Sequence, residues 1–183
     1  MNKKKIIALF GGSFDPPHIA HEAIVKALLN FKDVDKVVVM PTFLNPFKTL
    51  SHASAELRLK WLNEIFSKYE NVEVSSYEVD KNQKISTINT VTHFLKIYKK
   101  IYLVIGADNL SSFHKWDSYK QLKELVTVVV VSRDNIKIDK EFLKIDLDIN
   151  ISSTSLRSKI DVKNLPKKCA KECEKFYKEN NEK

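Results

Sequence analysis

Glycine is so scarce in this chain that the few places where its backbone can be bare are fixed. Only Gly11, Gly12 and Gly106 occur in 183 residues, where average usage of about 7% gives roughly 13. Each follows directly on an apolar run that reads as a β-strand, Ile6-Ile7-Ala8-Leu9-Phe10 for the pair and Ile101-Tyr102-Leu103-Val104-Ile105 for Gly106. A residue without a Cβ at such a point marks a place where backbone geometry or the close approach of a ligand excludes a side chain. After the first pair the chain continues Ser13-Phe14-Asp15-Pro16-Pro17-His18-Ile19-Ala20-His21. Strand, glycine loop and helix in that order present backbone N–H groups and a helix N-terminus to a phosphate. His18 and His21, three apart, share one face of the first helical turn. The arrangement predicts a nucleotide site.

The apolar pattern alternates between short β-branched runs and helical periodicity. Strands are expected at 5–10, 35–40, 72–79, 101–105 and 126–132, with a weaker alternating strand from Phe142 to Ile149. Helices are expected at about 18–30, 54–68, 88–98 and 115–124, then a short one at 153–160 and a last amphipathic one from near Pro166, which suits a first turn. Strand–helix alternation with near-continuous apolar strands predicts an α/β fold: a doubly wound, mostly parallel sheet of Rossmann-like nucleotide-binding type. Ligands of such sheets bind beyond the carboxyl ends of the strands, at a topological switch point. Gly11-Gly12, the loop from Pro41 to Lys48, and Gly106-Ala107-Asp108 all fall at strand ends. No linker, repeat or low-complexity tract divides the chain, so one domain is expected across 1–183, with the C-terminal helical segment from about 153 packed on it.

Composition narrows the partners. The formal charge is +8, nearly all of it lysine, since Arg58, Arg133 and Arg157 are the only arginines. Many lysines alternate with acids, as in Lys167-Lys168-Cys169-Ala170-Lys171-Glu172, which reads as a solvated face. No basic patch interleaved with aromatics points to nucleic acid, so anionic small substrates account for the excess charge. Cys169 and Cys173 lie one helical turn apart with no second pair, which predicts reduced thiols rather than a zinc site. No apolar run approaches the ~20 residues of a membrane span, and the stretch behind Lys3-Lys4-Lys5 stops at Gly11. A cytoplasmic protein without a membrane partner is expected.

The segment 11–21 lacks the dinucleotide fingerprint and the Walker A lysine. It resembles the G-G-[ST]-F-D-P-x-H-x-G-H signature of the nucleotidyltransferase superfamily related to class I aminoacyl-tRNA synthetases, with Ala20 in place of the last glycine. The resemblance implies that His18 and His21 bind ATP phosphates, beside Gly11, Gly12, Ser13 and Phe14. Ile151-Ser152-Ser153-Thr154-Ser155-Leu156-Arg157 is similar to the I-S-S-T-x-[IV]-R motif of the same superfamily. Ser152 or Ser153 can cap the helix that follows, and Arg157 on its first turn can fork two phosphate oxygens.

Leu103-Val104-Ile105-Gly106-Ala107-Asp108-Asn109-Leu110 followed by Trp116 resembles the I-G-A-D-x-[LF]…W block of bacterial nicotinate mononucleotide adenylyltransferases. In that family the tryptophan stacks on the pyridine ring and the aspartate contacts the nucleotide, which implies these roles for Trp116 and for Asp108 beside Gly106. Asn45-Pro46-Phe47-Lys48 matches the family's P-x-K loop, and Arg58 stands where the family has an arginine, here read as a structural or substrate-orienting salt link. Residues 81–91 depart furthest. Thr87 and Thr90 match the family's R-x-G-x-S-Y-T-x-D-T-L, but Gln83, Ile85, Ser86 and Asn89 replace its Gly, Ser, Tyr and Asp. There the resemblance implies backbone amides near Thr87 holding a nicotinate carboxylate. Arg133, ending the fifth strand, matches an arginine at the site's edge. His52, His93 and His114 match nothing. The implied activity joins ATP and nicotinate mononucleotide to give deamido-NAD and pyrophosphate, with catalysis by His18, His21 and Arg157 and with Mg²⁺ arriving on ATP; no carboxylate cluster for a protein-held metal is visible. The rivals are a phosphopantetheine adenylyltransferase-like enzyme of the same superfamily, and a non-catalytic nucleotide- or nucleic-acid-binding protein on this fold.

Overall fold

The computed structural model describes residues 5–132, 138–147, 149 and 151–181. Strand β1 (Ile6–Gly12) leads through the glycine loop to helix α1 (Ile19–Leu29), then β2 (Lys36–Pro41), α2 (Ala55–Phe66), β3 (Val72–Val74) and a single turn of helix, α3 (Tyr77–Asp80). The second half runs α4 (Thr87–Leu95), β4 (Lys100–Gly106), α5 (Ala107–Phe113), α6 (Tyr119–Leu125), β5 (Thr127–Ser132) and β6 (Leu143–Asp146). It closes with α7 (Ser153–Ser158), a 3₁₀ turn at Val162–Asn164, and α8 (Ala170–Asn181).

The six strands lie in the order β3-β2-β1-β4-β5-β6, and every pairing is parallel. Side chains of β1 alternate between two apolar layers, as the period of a strand requires. Ile7 and Leu9 enter the layer built with Ile88, Val91 and Phe94 of α4 and Leu122 of α6. Ala8 and Phe10 enter the other, with Ile24, Val25 and Leu28 of α1, Trp61 and Leu62 of α2, and Cys173 and Tyr177 of α8. Both faces are covered, which is why the strands read as unbroken apolar runs. After β3 the chain crosses to the other side of β1 to lay down β4, so the switch point falls between the carboxyl ends of β1 and β4. Gly11-Gly12 and Gly106 mark those two ends. Cys169 and Cys173 are free thiols buried in the core, and no helix of the described residues is long and apolar enough to cross a membrane.

Several boundaries differ from the sequence pattern, each for a local reason. The expected strand 72–79 ends at Val74, because Ser75 and Ser76 turn the chain: Tyr77 N–H donates to Ser75 Oγ at 3.3 Å and Ser76 Oγ donates to Asp80 at 2.6 Å. Such side-chain bonds compete with the sheet ladder. Residues 107–113 form α5, although the segment has no helical apolar stripe, and the expected helix 115–124 begins only at Tyr119, after Ser118 in the left-handed region. The last helix starts at Ala170 rather than near Pro166, which instead opens a turn accepting Cys169 N–H at 3.1 Å.

Helix α8 reaches back to the beginning of the chain. Tyr177, fully buried, donates from its phenol to Asp15 Oδ1, 162 residues earlier. Burial, and then the adjacent Asp15 carboxylate, push the Tyr177 phenol up, so it stays protonated and can act only as the donor. Tyr177→Phe removes that donor from a buried carboxylate and should lower unfolding free energy by about 1–3 kcal/mol. Urea unfolding measures it; an unchanged midpoint would show that the phenol contributes no net stability.

Candidate active site

A cleft of ≈ 430 Å³ opens at the switch point, within the usual size of a small-molecule site. Of the residues expected there, Gly11, Gly12, Ser13, Phe14, His18, His21, Lys48, Thr87, Gly106, Asp108, Trp116, Ser152, Ser153 and Thr154 line it. Ile151 packs beside the core and Arg157 stands just behind Thr154. Arg133 lies outside the described residues.

None of the glycines has positive φ, and two of the three, Gly12 and Gly106, are bare because of what approaches them, whereas a Cβ on Gly11 would meet only Met40 O at 4.0 Å. A Cβ on Gly12 would come within 3.1 Å of the Phe14 ring, and one on Gly106 would collide with the Asp108 carboxylate. The left-handed residue of the loop is Phe14, at φ 50°. Its ring is buried against Phe10 and packs edge-on to His21 at 4.8 Å.

The first turn of α1 faces the cleft, and His18 is only 4% exposed; the polar pattern alone would have placed it in solvent. His18 occupies the N-cap, its N–H donating to His21 Nδ1 at 3.1 Å. That bond leaves the ring proton of neutral His21 on Nε2. The two imidazoles stack, centroids 3.5 Å apart and planes 17° from parallel.

The two anchor segments, remote in sequence, meet here. Ser153 Oγ donates to Pro16 O at 2.8 Å, across 137 residues. Arg157 Nη1 donates to Asp15 O, and Nη2 donates to Thr154 Oγ1 at 3.0 Å. Ser152 supplies the cap of α7, accepting from Ser155 N–H at 3.1 Å. Asp15 itself is 2% exposed. Burial alone would raise its carboxyl. Donation from Tyr177 and from the amides of Ala53 and His52, together with the positive Arg157, holds it below the usual carboxylate range.

Arg58 proves structural, but through carbonyls rather than a salt link. Fully buried, it donates to Ala53 O at 3.1 Å, Ser13 O at 2.6 Å and Phe43 O at 2.8 Å, so one guanidinium fixes the loops after β1 and β2. Lys48 lies above it. Burial first, and then the positive Arg157 and Arg58, pull the Lys48 ammonium below its ordinary value, with Asp15 partly offsetting them. Lys48 thus stands at the cleft with two guanidinium groups close behind it, which makes this end positive.

The opposite end is made by Ser86 and Thr87 at the start of α4, by Trp116, and by Glu78 and Thr90. Among the described residues, the Ser86 hydroxyl and the Trp116 Nε1–H are buried without a hydrogen-bond partner. Buried donors of that kind are ordinarily satisfied, so this end is built to receive polar groups. His52 touches the site through its backbone, while His93 stacks on Tyr77 at 4.0 Å and His114 is an exposed helix terminus.

Comparison with known proteins agrees with this geometry. The family model described as Cytidylyltransferase-like matches residues 9–159. A protein of Sulfurimonas denitrificans named "Probable nicotinate-nucleotide adenylyltransferase" is 61% identical over 173 residues, covering 94% of this chain and 95% of that one. The chain belongs to this family of adenylyltransferases. A Campylobacter fetus member of the same name is 47% identical over 178 residues, covering 96% and 98%. Among solved structures, the family fold recurs in a Plasmodium falciparum nicotinic acid mononucleotide adenylyltransferase complexed with NaAD, at TM-score 0.74 and 19% identity over 97% of this chain and 96% of that one.

Sequence reasoning did not single out Asp15, Tyr177 or Glu78, and it named Thr90 only as a match to the family pattern, without its Glu78 partner. Asp15 sat in plain view within the family signature; Tyr177 was signalled only as a hydroxyl-bearing ring on the apolar face of the last helix. Arg58→Lys tests the carbonyl clamp. An ammonium cannot span three separated carbonyls, so the variant should lose about 2–4 kcal/mol. Thermal and urea unfolding would read the loss, and near-native stability would show that the carbonyls find other donors.

Proposed function

We propose that this chain transfers the adenylyl group of ATP to nicotinate mononucleotide, giving deamido-NAD and pyrophosphate, in the cytoplasm as a step of NAD synthesis. The observation that carries the reading is the meeting of the two anchor segments, through Ser153–Pro16 and Arg157–Asp15, at one end of a cleft whose other end offers Trp116 and the start of α4. ATP lies with its phosphates toward His18, His21, Lys48 and Arg157 and its nucleoside along Gly11, Gly12, Gly106 and Asp108. The acceptor's pyridine ring lies on Trp116, with its carboxylate at the amides beside Thr87.

An oxygen of the acceptor phosphate forms a bond to the α-phosphorus as the bond to the pyrophosphate bridging oxygen breaks. No protein group changes its covalent state, so catalysis is positioning and charge stabilisation. His21 donates from Nε2–H to oxygens whose charge grows, and Arg157, fixed by Asp15 and Thr154, adds positive charge. Mg²⁺ would come as part of the ATP substrate and would supply positive charge to its phosphates. Among the described residues no group of three or more His, Cys, Asp or Glu could hold a metal, and the imidazoles and isolated carboxylates of the cleft suit an ion already coordinated by triphosphate.

Pyrophosphate release with a panel of acceptors tests the assignment. Nicotinate mononucleotide should be turned over and 4′-phosphopantetheine should not; equal use of both, or of neither, overturns it. At pH 6 to 7, nicotinate mononucleotide should be preferred over the nicotinamide form by at least about tenfold in kcat/KM, since an amide leaves a buried donor unpaired at a cost of about 1–3 kcal/mol.

His21→Ala should lower kcat by roughly 10²–10³, the loss of one oriented donor. It also removes the acceptor for His18 N–H, so about 1 kcal/mol of stability should go with it. A folded variant that keeps most of its turnover would reduce His21 to a helix cap.

A further inference from the structure

One carboxyl in the cleft has no part in the transfer as described. Glu78, in the single turn α3, is 5% exposed and lines the acceptor end beside Ile85, Ser86, Thr87 and Trp116. Its Oε1 accepts from Thr90 Oγ1 at 2.6 Å, and among the described residues no donor reaches Oε2. Buried carboxylates are ordinarily paired with a cation. This one is not.

The surrounding elements carry charges, but none is spent on Glu78. On β2, Lys36 is taken by Glu73 at 2.8 Å. On α2, Arg58 is held by carbonyls and Lys60 pairs with Glu64 and Glu172, while Glu56 is exposed. On α4, His93 stacks over Tyr77, and beside α3 Lys81 covers the same ring while Asp80 accepts from Ser76. Across the cleft stand Lys48, Asp108 and Asp117. Burial is therefore opposed only by the Thr90 hydrogen bond, and it pushes the Glu78 carboxyl up to about 7.

We propose that Glu78 reads the substituent on the acceptor's pyridine ring, donating from its protonated Oε2 to a nicotinate carboxylate and opposing that carboxylate once ionised. The proposal rests on the adenylyl-transfer reading above. A protonated carboxyl can accept from Thr90 on one oxygen and donate from the other, so it completes the donor set that Ser86 and the first amides of α4 begin. Ionised, it places like charge against the nicotinate carboxylate and becomes an acceptor for the NH₂ of a carboxamide. Acceptor choice thus depends on one proton, and the preference for nicotinate weakens as pH rises through the range in which Glu78 loses it.

The ratio of kcat/KM for nicotinate mononucleotide to that for nicotinamide mononucleotide, measured from pH 6 to pH 8, isolates this effect. ATP, Mg²⁺, the acceptor phosphate and the histidines are common to both reactions and cancel in the ratio. With a pKa near 7 the protonated fraction falls from about nine-tenths to about one-tenth over this range, so the ratio should fall about tenfold. Where the amide is turned over too slowly to measure, its inhibition constant against nicotinate mononucleotide serves in its place. Glu78→Gln keeps the shape, the acceptor for Thr90 and a permanent N–H donor, and should hold the ratio flat at its low-pH value. A flat ratio in the native protein, or the native slope persisting in Glu78→Gln, overturns the proposal; if the variant does not fold, the native profile alone decides. Nicotinate turnover with a flat ratio removes only the role of Glu78, whereas no turnover of either acceptor removes the transfer reading as well.

Discussion

The buried carboxylate of Asp15 is the point on which the site depends. It sits in the loop after β1 and gathers donors from three directions: the Tyr177 phenol of α8, and the amides of His52 and Ala53 just before α2. Its own carbonyl receives Arg157 of α7. An ionised carboxylate inside a protein is tolerable only when its lone pairs are met, and here meeting them pins two remote segments to one loop, with Arg157 holding a third through the backbone. Arg58 does the complementary task with opposite polarity, satisfying three carbonyls of neighbouring turns. Between them, an acceptor-rich residue and a donor-rich residue hold an irregular loop as firmly as a sheet ladder would.

This arrangement separates the cleft into two electrostatic halves. Lys48, Arg157 and Arg58 crowd one end, where burial, and then the repulsion of the two guanidinium groups, weakens the hold of Lys48 on its proton. That concentration of positive charge favours an anion at this end. Among the described residues, the other end carries no cation within reach of Glu78 and offers instead neutral donors. The two ends of the cleft thus differ in field, one positive and one lined by neutral donors.

The parts of this structure legible in the sequence are those written in local code. The runs 5–10, 101–105 and 126–132 could be read as buried strands because a parallel sheet covered on both faces leaves no polar alternation. The loop between β1 and α1 could be read because scarce glycines and spaced histidines stand next to one another. Helix α5 could not, since Ala107-Asp108-Asn109-Leu110-Ser111-Ser112-Phe113 presents only its two ends to the core, and α3 was concealed in a strand-like alternation that two serines interrupt. Tyr177, Glu78 and the carbonyl partners of Arg58 belong to a different category. Their meaning lies in what they touch, and a list of residue types carries no record of contacts 12, 45 or 162 positions away.

The reach of Tyr177 has a consequence for how the protein comes into being. Synthesis runs from the N-terminus, and a chain on the ribosome folds what has already emerged. The segment that carries His18 and His21 is among the first made, yet the Asp15 carboxylate before it waits for a phenol made 162 residues later, and the Asp15 carbonyl for an arginine made 142 residues later. Until then the β1–β2 portion can pair its strands but holds an acceptor without its donors. The histidine end of the cleft is therefore closed only by nearly the whole described chain, and an incompletely synthesised molecule has the histidines without the frame that aims them.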